Sequence, residues 1–344
     1  MFKLEMNLNT FRLQNFFLVI ASVLLTFLIL ELFIRFVLKD SPRNEAGYNL
    51  KDQPISFMED QVLGWKPKPG EFTFKPWSKD GKNTKLTNLF DGERLTGIKN
   101  KKQKIVFIGG SLTQGWAVDN SETFAWLLEK KIKNYDVKNY GVGGYGGVQS
   151  LLKLQDIFKK QENIRLVIYG FIPHHEVRNI ASGSWLYLLN KASKGTEGKL
   201  SLPYGSIKNK KLKINKPKEY LKLPFGNKSA LIAKIEKKIL KLSSFKRSFQ
   251  ETEISKQVIL NMKKTAEKNK ASFILLVLNE ISEEKLIKYK EFFRENSVQY
   301  INCYFQEGDK YRVKGEGHPN ALNHISVSDC IYDQLRLKDS GFLK

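Results

Sequence analysis

A serine and a histidine that are far apart in the sequence could together perform nucleophilic chemistry. Ser111 follows the apolar run 105–108 and two glycines, and His318 stands two residues after Glu316. A serine hydroxyl is a poor nucleophile until a base removes its proton, and a histidine does this best when a third group fixes its tautomer. The residue types therefore predict that Ser111 attacks an acyl carbonyl, that His318 serves as base and then acid, and that Glu316 orients the imidazole.

Alternating strands and helices are expected to position these side chains. Short apolar runs predict buried strands, and segments with apolar residues at helical spacing lie between them. The strands are expected at 105–108, 137–140, 166–171, 273–278 and 298–304. This alternation predicts an α/β fold, a three-layer α/β/α sandwich around a mostly parallel sheet. Ser111 would then stand at the carboxyl edge of the sheet, where ligands bind in open α/β sheets.

Four segments, in this order, resemble segments of the SGNH/GDSL hydrolase family, especially of its membrane-anchored bacterial members. They are residues 63–70, 109–113 (Gly-Gly-Ser-Leu-Thr), 139–146 and 316–320. Gly110 stands where the family usually has an aspartate. The resemblance implies the flavodoxin-like SGNH fold, esterase activity, and an oxyanion hole built from the backbone N–H groups of Ser111 and Gly144.

The chain departs from the family pattern in two places. The asparagine that normally completes the oxyanion hole after the third strand is missing, and either His174 or Asn179 is expected to replace it. His174 is preferred because its distance from the strand end is nearer to the usual one. In the last block, Glu316 takes the place of an aspartate and lies two residues before His318 instead of three.

These residues also have purely structural interpretations. Ser111 could be a turn or capping residue before a helix, and His318 could cap the final helix. His174 and His175, followed by Glu176, could suggest a metal site, but adjacent histidines rarely point the same way and no further ligand is near in sequence. No metal and no cofactor is expected.

Residues 16–36 form an almost uninterrupted apolar segment that is long enough, as a helix, to cross a bilayer core of ~30 Å. Glu31 and Arg35 lie four residues apart and can pair on one face of that helix. A cleaved signal peptide is the alternative, but the segment exceeds the usual apolar core of such peptides and no small-residue cleavage site follows it. The flanking charges barely discriminate the orientation. The family resemblance implies a catalytic domain outside the cytoplasm, on the periplasmic or outer face.

The net charge of +23 predicts contact with something anionic, such as phospholipid headgroups or cell-envelope polymers. A lysine-rich solvated surface without a partner is the alternative. Nucleic acid is not expected, because no zinc-finger, RNP-type or basic-zipper pattern is found. Much of the charge lies in an insertion at about 182–252, where residues 191–247 carry 17 Lys or Arg and three acidic residues. Residues 231–242 could form a basic amphipathic helix that lies on lipid or packs on the sheet.

Three parts of the chain are expected. They are a membrane anchor at 1–40, an extended linker or wrapping segment at 41–102, and the hydrolase-like domain at 103–344. Cys303 and Cys330 are expected to be small buried hydrophobic residues, with a single disulfide as the alternative.

The predicted function is a membrane-anchored esterase that removes small acyl groups, O-acetyl above all, from a cell-envelope polysaccharide. An acyltransferase using the same site and a catalytically idle glycan-binding or scaffold protein are the alternatives. The sequence does not indicate the oligomeric state.

Overall fold

The structure is a computed structural model that describes residues 2–43, 53–97, 101, 103–304 and 308–337, with the backbone alone at 2–10 and 194. The chain divides into two compact units. One contains residues 1–46 and 221–243, and the other contains residues 47–220 and 244–344.

The elements follow one another as strands and helices in alternation through most of the second unit. The strands are β1 (Phe57–Asp60), β2 (Gly64–Pro67), β3 (Gly70–Phe74), β4 (Thr84–Asn88), β5 (Gln103–Gly109), β6 (Tyr135–Gly141), β7 (Ile164–Phe171), β8 (Thr196–Glu197), β9 (Ser201–Lys208), β10 (Lys211–Glu219), β11 (Ser272–Val277) and β12 (Gln299–Asn302). The helices are α1 (Phe2–Leu32), α2 (Ser111–Gln114), α3 (Phe124–Lys131), α4 (Gly147–Lys160), α5 (His175–Asn179), α6 (Gly183–Ala192), α7 (Ala230–Ser248), α8 (Glu251–Lys268), α9 (Glu283–Glu295) and α10 (Ala321–Leu337).

The central sheet has the order β12-β11-β7-β5-β6 within the described residues, and all of its strand pairs are parallel. Numbered along the sheet's own strands, this is the order 2-1-3-4-5 of flavodoxin-like folds. The predicted parallel sheet and its five strands are confirmed. The switch in strand order falls between β5 and β7, so the carboxyl end of β5 is the expected ligand-binding edge.

Helices cover both faces of this sheet because the side chains of each strand alternate between two apolar clusters. Val106 and Ile108 of β5 belong to the cluster that includes residues of α4, α8 and α9. Ile105 and Phe107 point the other way, into the cluster with residues of α3 and α10. The three-layer sandwich predicted from the sequence is confirmed.

The segment predicted to be an extended linker forms two antiparallel strand pairs where it is described. β1 pairs with β2, and β3 pairs with β4. The segment contacts the turn after β6, because Trp65 Nε1 donates to Gly143 O at 3.1 Å and Tyr145 Oη donates to Trp65 O at 2.6 Å. Residues 44–52, 98–100 and 102 of the predicted linker lie outside the described residues.

The other unit contains the apolar N-terminal helix. α1 continues through a π-helical turn at Phe33–Val37, and the stretch Phe11–Val37, of 27 residues, is long and apolar enough to cross a membrane. The second chain segment of this unit includes the first part of α7, which was predicted as a basic amphipathic helix.

Candidate active site

Ser111 lies at the start of α2, directly after a sharp turn at the carboxyl end of β5. Gly109 has a φ of 155°, and a Cβ atom there would lie 2.2 Å from Thr113 Oγ1 and 2.9 Å from the carbonyl oxygen of Gly170. Only a glycine fits this position. The turn directs the chain from β5 into α2 and so presents Ser111 at the predicted edge of the sheet.

The structure brings the three predicted catalytic side chains together. Ser111 Oγ lies 2.8 Å from His318 Nε2. His318 Nδ1 lies 2.7 Å from Glu316 Oε1 and 2.9 Å from its Oε2. The carboxylate accepts the proton on Nδ1, so the lone pair of Nε2 is directed at the Ser111 hydroxyl. This is the geometry of a nucleophile, a base and the group that orients the base.

Two glycines explain how a glutamate reaches a histidine only two residues away. Gly315 and Gly317 have φ values of 83° and 91°, so the chain turns tightly on both sides of Glu316. The carboxylate therefore folds back over the following residues and also accepts the backbone N–H of His318 at 2.8 Å.

Trp116 is a partner of this carboxylate that the sequence did not indicate. Its indole Nε1 donates to Glu316 Oε1 at 3.0 Å. Burial alone would raise the pKa of Glu316, but the hydrogen bonds from His318 and Trp116 outweigh it and hold the pKa below its ordinary value. Glu316 is therefore ionised at neutral pH and able to stabilise an imidazolium.

The backbone donors predicted for the oxyanion hole come from two turns. The N–H of Ser111 has no acceptor within its own helix, because it is the first residue of α2. Gly144, after β6, has a φ of 82°. A Cβ atom there would lie 3.0 Å from the Trp65 ring and 3.7 Å from the Trp185 ring, so two indoles cover this glycine.

Asn179 has a different role from the one predicted. Its Oδ1 accepts the N–H of Val148 in the first turn of α4 at 2.9 Å, and its Nδ2 donates to Ser255 Oγ at 2.9 Å. Both ends of the amide are thus engaged in holding helices, and Asn179 is not placed to serve as the third donor.

His174 is exposed and precedes α5. Although the side chain is accessible to solvent, it loses part of its hydration to the neighbouring protein, and this loss and the nearby charge of Arg178 lower the pKa of His174. The neutral imidazole is therefore favoured at pH 7.

Arg178 links the two glycine turns, and no pattern in the sequence indicated it. It is 7% exposed, its Nη1 donates to Tyr145 O at 2.8 Å, and its guanidinium lies 4.2 Å from the Trp185 ring centroid. A Cβ atom on Gly110 would lie 3.2 Å from Arg178 Nη1 and 3.0 Å from His175 Nε2. The space that an aspartate would occupy in the family block is thus taken by these two side chains.

Arg94 is a second buried arginine that the sequence did not indicate. It is 1% exposed and donates to three carbonyl oxygens after the nucleophile: Gln114 O at 2.9 Å, Gly115 O at 2.5 Å and Val118 O at 2.6 Å. Its guanidinium fixes the chain that leaves α2, which is the chain that carries Trp116.

Among the residues that the structure describes, no group of three or more His, Cys, Asp or Glu side chains could hold a metal ion. Glu176, next to the paired histidines, is buried and accepts hydrogen bonds from Tyr289 Oη at 2.8 Å and Thr252 Oγ1 at 3.1 Å. His175 Nδ1 lies 2.7 Å from Tyr169 Oη. These side chains belong to the packing between β7, α5, α8 and α9.

No protein-family model matches this chain, and no curated protein matches it. Solved structures are similar to it. A lipolytic protein of the G-D-S-L family from Veillonella parvula DSM 2008 is 12% identical, over 70% of this chain and 100% of that one, with a TM-score of 0.37. An acetyl xylan esterase from Butyrivibrio proteoclasticus is 12% identical, over 76% of this chain and 68% of that one, with a TM-score of 0.40. The esterase EstA from Pseudoalteromonas sp. is 10% identical, over 68% of this chain and 97% of that one, with a TM-score of 0.41.

Proposed function

We propose that this chain is a membrane-anchored serine esterase that removes small acyl groups, O-acetyl above all, from a cell-envelope polysaccharide. One observation carries the proposal: the continuous hydrogen-bonded series from Ser111 Oγ through His318 to Glu316, with heavy-atom distances of 2.8 and 2.7 Å. Two sequence segments about two hundred residues apart form it, and this arrangement activates a serine hydroxyl.

The chemistry follows from the positions of the protons. Ser111 Oγ attacks the ester carbonyl carbon while its proton passes to His318 Nε2, and the imidazolium is stabilised by Glu316. The carbonyl oxygen gains negative charge, and we assign the N–H groups of Ser111 and Gly144 as the donors that stabilise it. The intermediate then releases the sugar oxygen, which takes the proton from His318, and leaves an acyl group on Ser111. Water, deprotonated by His318, attacks this acyl group and releases the carboxylic acid and the free serine.

The surroundings of the site favour a short acyl group. The rings of Trp65 and Trp185 lie directly over Gly144, with indole carbons 3.0 and 3.7 Å from where its Cβ atom would be. We propose that these two rings limit the length of the acyl chain that fits beside the Gly144 N–H. Acetyl esters are therefore the expected substrates, and long-chain lipid esters are not.

The envelope location is supported by two features of the chain. Residues 11–37 are long and apolar enough to cross a membrane. Cys303 and Cys330 form a disulfide, with Cα atoms 5.8 Å apart, and such bonds persist in compartments outside the cytoplasm. An envelope polysaccharide is an abundant source of O-acyl esters in that compartment, and the net charge of +23 favours approach to an anionic polymer.

The proposal is tested with a chromogenic acetyl ester and the variant Ser111→Ala. The parent is expected to hydrolyse the ester and to react with a fluorophosphonate probe, and Ser111→Ala is expected to do neither. Ser326→Ala, which removes a hydroxyl hydrogen-bonded within α10, is the matched control and should behave as the parent. Background rates and no labelling for parent and variant alike would reject the esterase and favour the idle glycan-binding protein.

Hydrolysis and acyl transfer share the acyl-serine intermediate and differ in the group that accepts the acyl. Incubation of the parent with an O-acetylated polysaccharide and a deacetylated acceptor distinguishes them. Free acetate is expected for the esterase. Acetyl groups that move to the acceptor without release of acetate would assign the transferase instead.

A further inference from the structure

Helix α7 has apolar side chains on two opposite sides. Its buried side includes Ala230, Ala233 and Leu240. The opposite side carries large apolar side chains that are exposed, at spacings of four, three, three and four residues that place them in one stripe. This exposed stripe consists of Ile235 (42% exposed), Ile239 (41%), Leu242 (62%), Phe245 (50%) and Phe249, just after the helix (75%).

The beginning of α7 is held by a side chain of the apolar N-terminal helix. The carboxylate of Glu31 accepts the Ser229 hydroxyl at 2.7 Å and the backbone N–H groups of Ala230 and Leu231, both at 2.9 Å. These are N–H groups that a helix leaves without acceptors at its first turn. Arg35, one turn beyond Glu31, donates to Lys228 O at 2.5 Å.

This attachment places the start of α7 at a defined depth. Glu31 lies six residues before Val37, the last residue of the apolar span, which corresponds to ~9 Å along a helix. This depth corresponds to the boundary between acyl chains and headgroups. Interfacial helices bury their apolar face at this boundary, by roughly 5–10 Å. If the N-terminal helix crosses the bilayer, α7 therefore starts at the bilayer surface and not in bulk water.

The charges of α7 fit an anionic lipid surface. The helix contains five lysines, one arginine and a single acidic residue, Glu236. Glu236 is buried and paired with Arg43, so its charge is compensated. Exposed lysines, among them Lys238 and Lys246, lie close to the exposed apolar stripe. Lysine side chains are attracted to an anionic leaflet, and their long stems cover apolar surface while the charged ends reach the headgroups.

We propose that α7 lies in the membrane interface as a second attachment, with the exposed stripe in the acyl-chain boundary and its lysines on anionic phospholipid headgroups. A polysaccharide offers no apolar phase for five exposed large side chains, whereas the bilayer next to Glu31 does. The inference rests on the membrane anchoring in the proposed function and is independent of the esterase chemistry.

Spin labels on single introduced cysteines test the proposal in the full chain, with the native disulfide left oxidised, in nanodiscs that contain anionic phosphatidylglycerol. Labels are placed at Leu242→Cys in the stripe, at Lys241→Cys on the lysine side of α7, and at Leu24→Cys in the N-terminal helix. Collision with oxygen reports contact with acyl chains, and collision with a water-soluble nickel chelate reports contact with water. Unchanged circular dichroism confirms that each variant is folded.

The label at Leu242→Cys is expected to collide with nickel several-fold less than the label at Lys241→Cys and to collide more with oxygen. Zwitterionic nanodiscs should weaken this difference. Equal rates of collision with nickel at the two positions would overturn the proposal. Low rates of collision with both reagents at Leu242→Cys would also overturn it, because they would indicate contact with protein. A water-exposed label at Leu24→Cys would show instead that the anchoring itself is wrong.

Discussion

At the scale of single residues, the substitution of aspartate by Glu316 is compensated by its surroundings. The longer side chain and the closer spacing would leave the carboxylate free to rotate, but three donors hold it: His318 Nδ1, the His318 N–H and the Trp116 indole. Trp116 is itself held by rings, with Phe74 at 4.9 Å and Phe57 at 6.1 Å between centroids. The orientation of His318 therefore depends on an aromatic cluster supplied by β1 and β3.

Trp116→Phe is expected to lower kcat about tenfold with little change in KM, because a hydrogen bond to a charged group is worth about 1.5–3 kcal/mol. The ring packing is largely kept, so the loss should appear in the chemical step and not in folding. Trp126→Phe is the matched control, since Trp126 Nε1 has no hydrogen-bond partner within the described structure. Equal kcat values for both variants would contradict a role of Trp116 in orienting Glu316.

Comparing His174→Ala with Arg178→Met distinguishes a third oxyanion donor at His174 from a positioning role of Arg178 beside the two glycine turns. Removal of one such donor costs 10²- to 10³-fold in kcat in a well-studied protease. We expect the larger loss at Arg178, because its Nη1 lies beside Gly110 and holds the Tyr145 carbonyl next to Gly144. Steady-state kinetics with an acetyl ester measure both variants, and a transition-state-like phosphonate separates stabilisation of the oxyanion from folding. A large loss in His174→Ala alone would instead support the assignment preferred from the sequence.

At the scale of elements, the disulfide closes the chain segment that carries the base. Cys303 follows β12 and Cys330 lies in α10, with His318 and Glu316 between them. Cys303 is buried and its N–H donates to Val277 O at 3.1 Å, so one end of the segment is attached to the sheet. The other end is attached through α10, whose His324 packs on Phe124 with ring centroids 5.6 Å apart.

Replacing both cysteines by alanine is expected to lower the free energy of unfolding by about 3.5 kcal/mol, the chain-entropy value for a loop closed across a sequence separation of 27. Urea denaturation of parent and variant measures this. A reductant should lower the free energy of unfolding of the parent by a similar amount and leave that of the double variant unchanged. Equal stability of parent and variant would show that the rest of the fold already orders the segment.

At the scale of the whole molecule, the N-terminal helix, the disulfide and the high positive charge bear on the location that we propose for the protein. The apolar span makes a membrane attachment possible, and the disulfide favours an oxidising compartment. The lysine-rich composition then favours approach to the anionic polymers and lipids of the envelope. We propose on the basis of the disulfide that the catalytic domain lies outside the cytoplasm.

In spheroplasts of a bacterial host, added protease is therefore expected to digest the catalytic domain, whereas intact cells should protect it behind the outer membrane. A cysteine-reactive polymer should leave Cys303 and Cys330 unmodified unless a reductant is present. A cytoplasmic protein serves as the control for lysis. Protection of the domain in spheroplasts, or free thiols in the untreated protein, would contradict the proposed orientation.

Sequence patterns alone determined the central sheet, the order of its strands and helices, and the position of Ser111 after β5. Those features depend on interactions between near neighbours, since buried strands require apolar runs and a sharp turn requires glycine. They also indicated the apolar N-terminal helix and the pairing of Ser111 with His318, because the carboxyl edge of one sheet collects the residues that follow its strands.

Only the tertiary structure decided the partners of the site. Trp116, Arg94 and Arg178 follow no spacing rule, and each contributes because a different segment folds against it. Asn179 was the alternative to His174 as the third oxyanion donor, and the structure shows that its amide joins α4 to α8. Cys303 and Cys330 were predicted to be unpaired buried residues, but they form a disulfide. Which polar groups meet depends on the packing of distant elements, and a single sequence does not encode that packing in any local pattern.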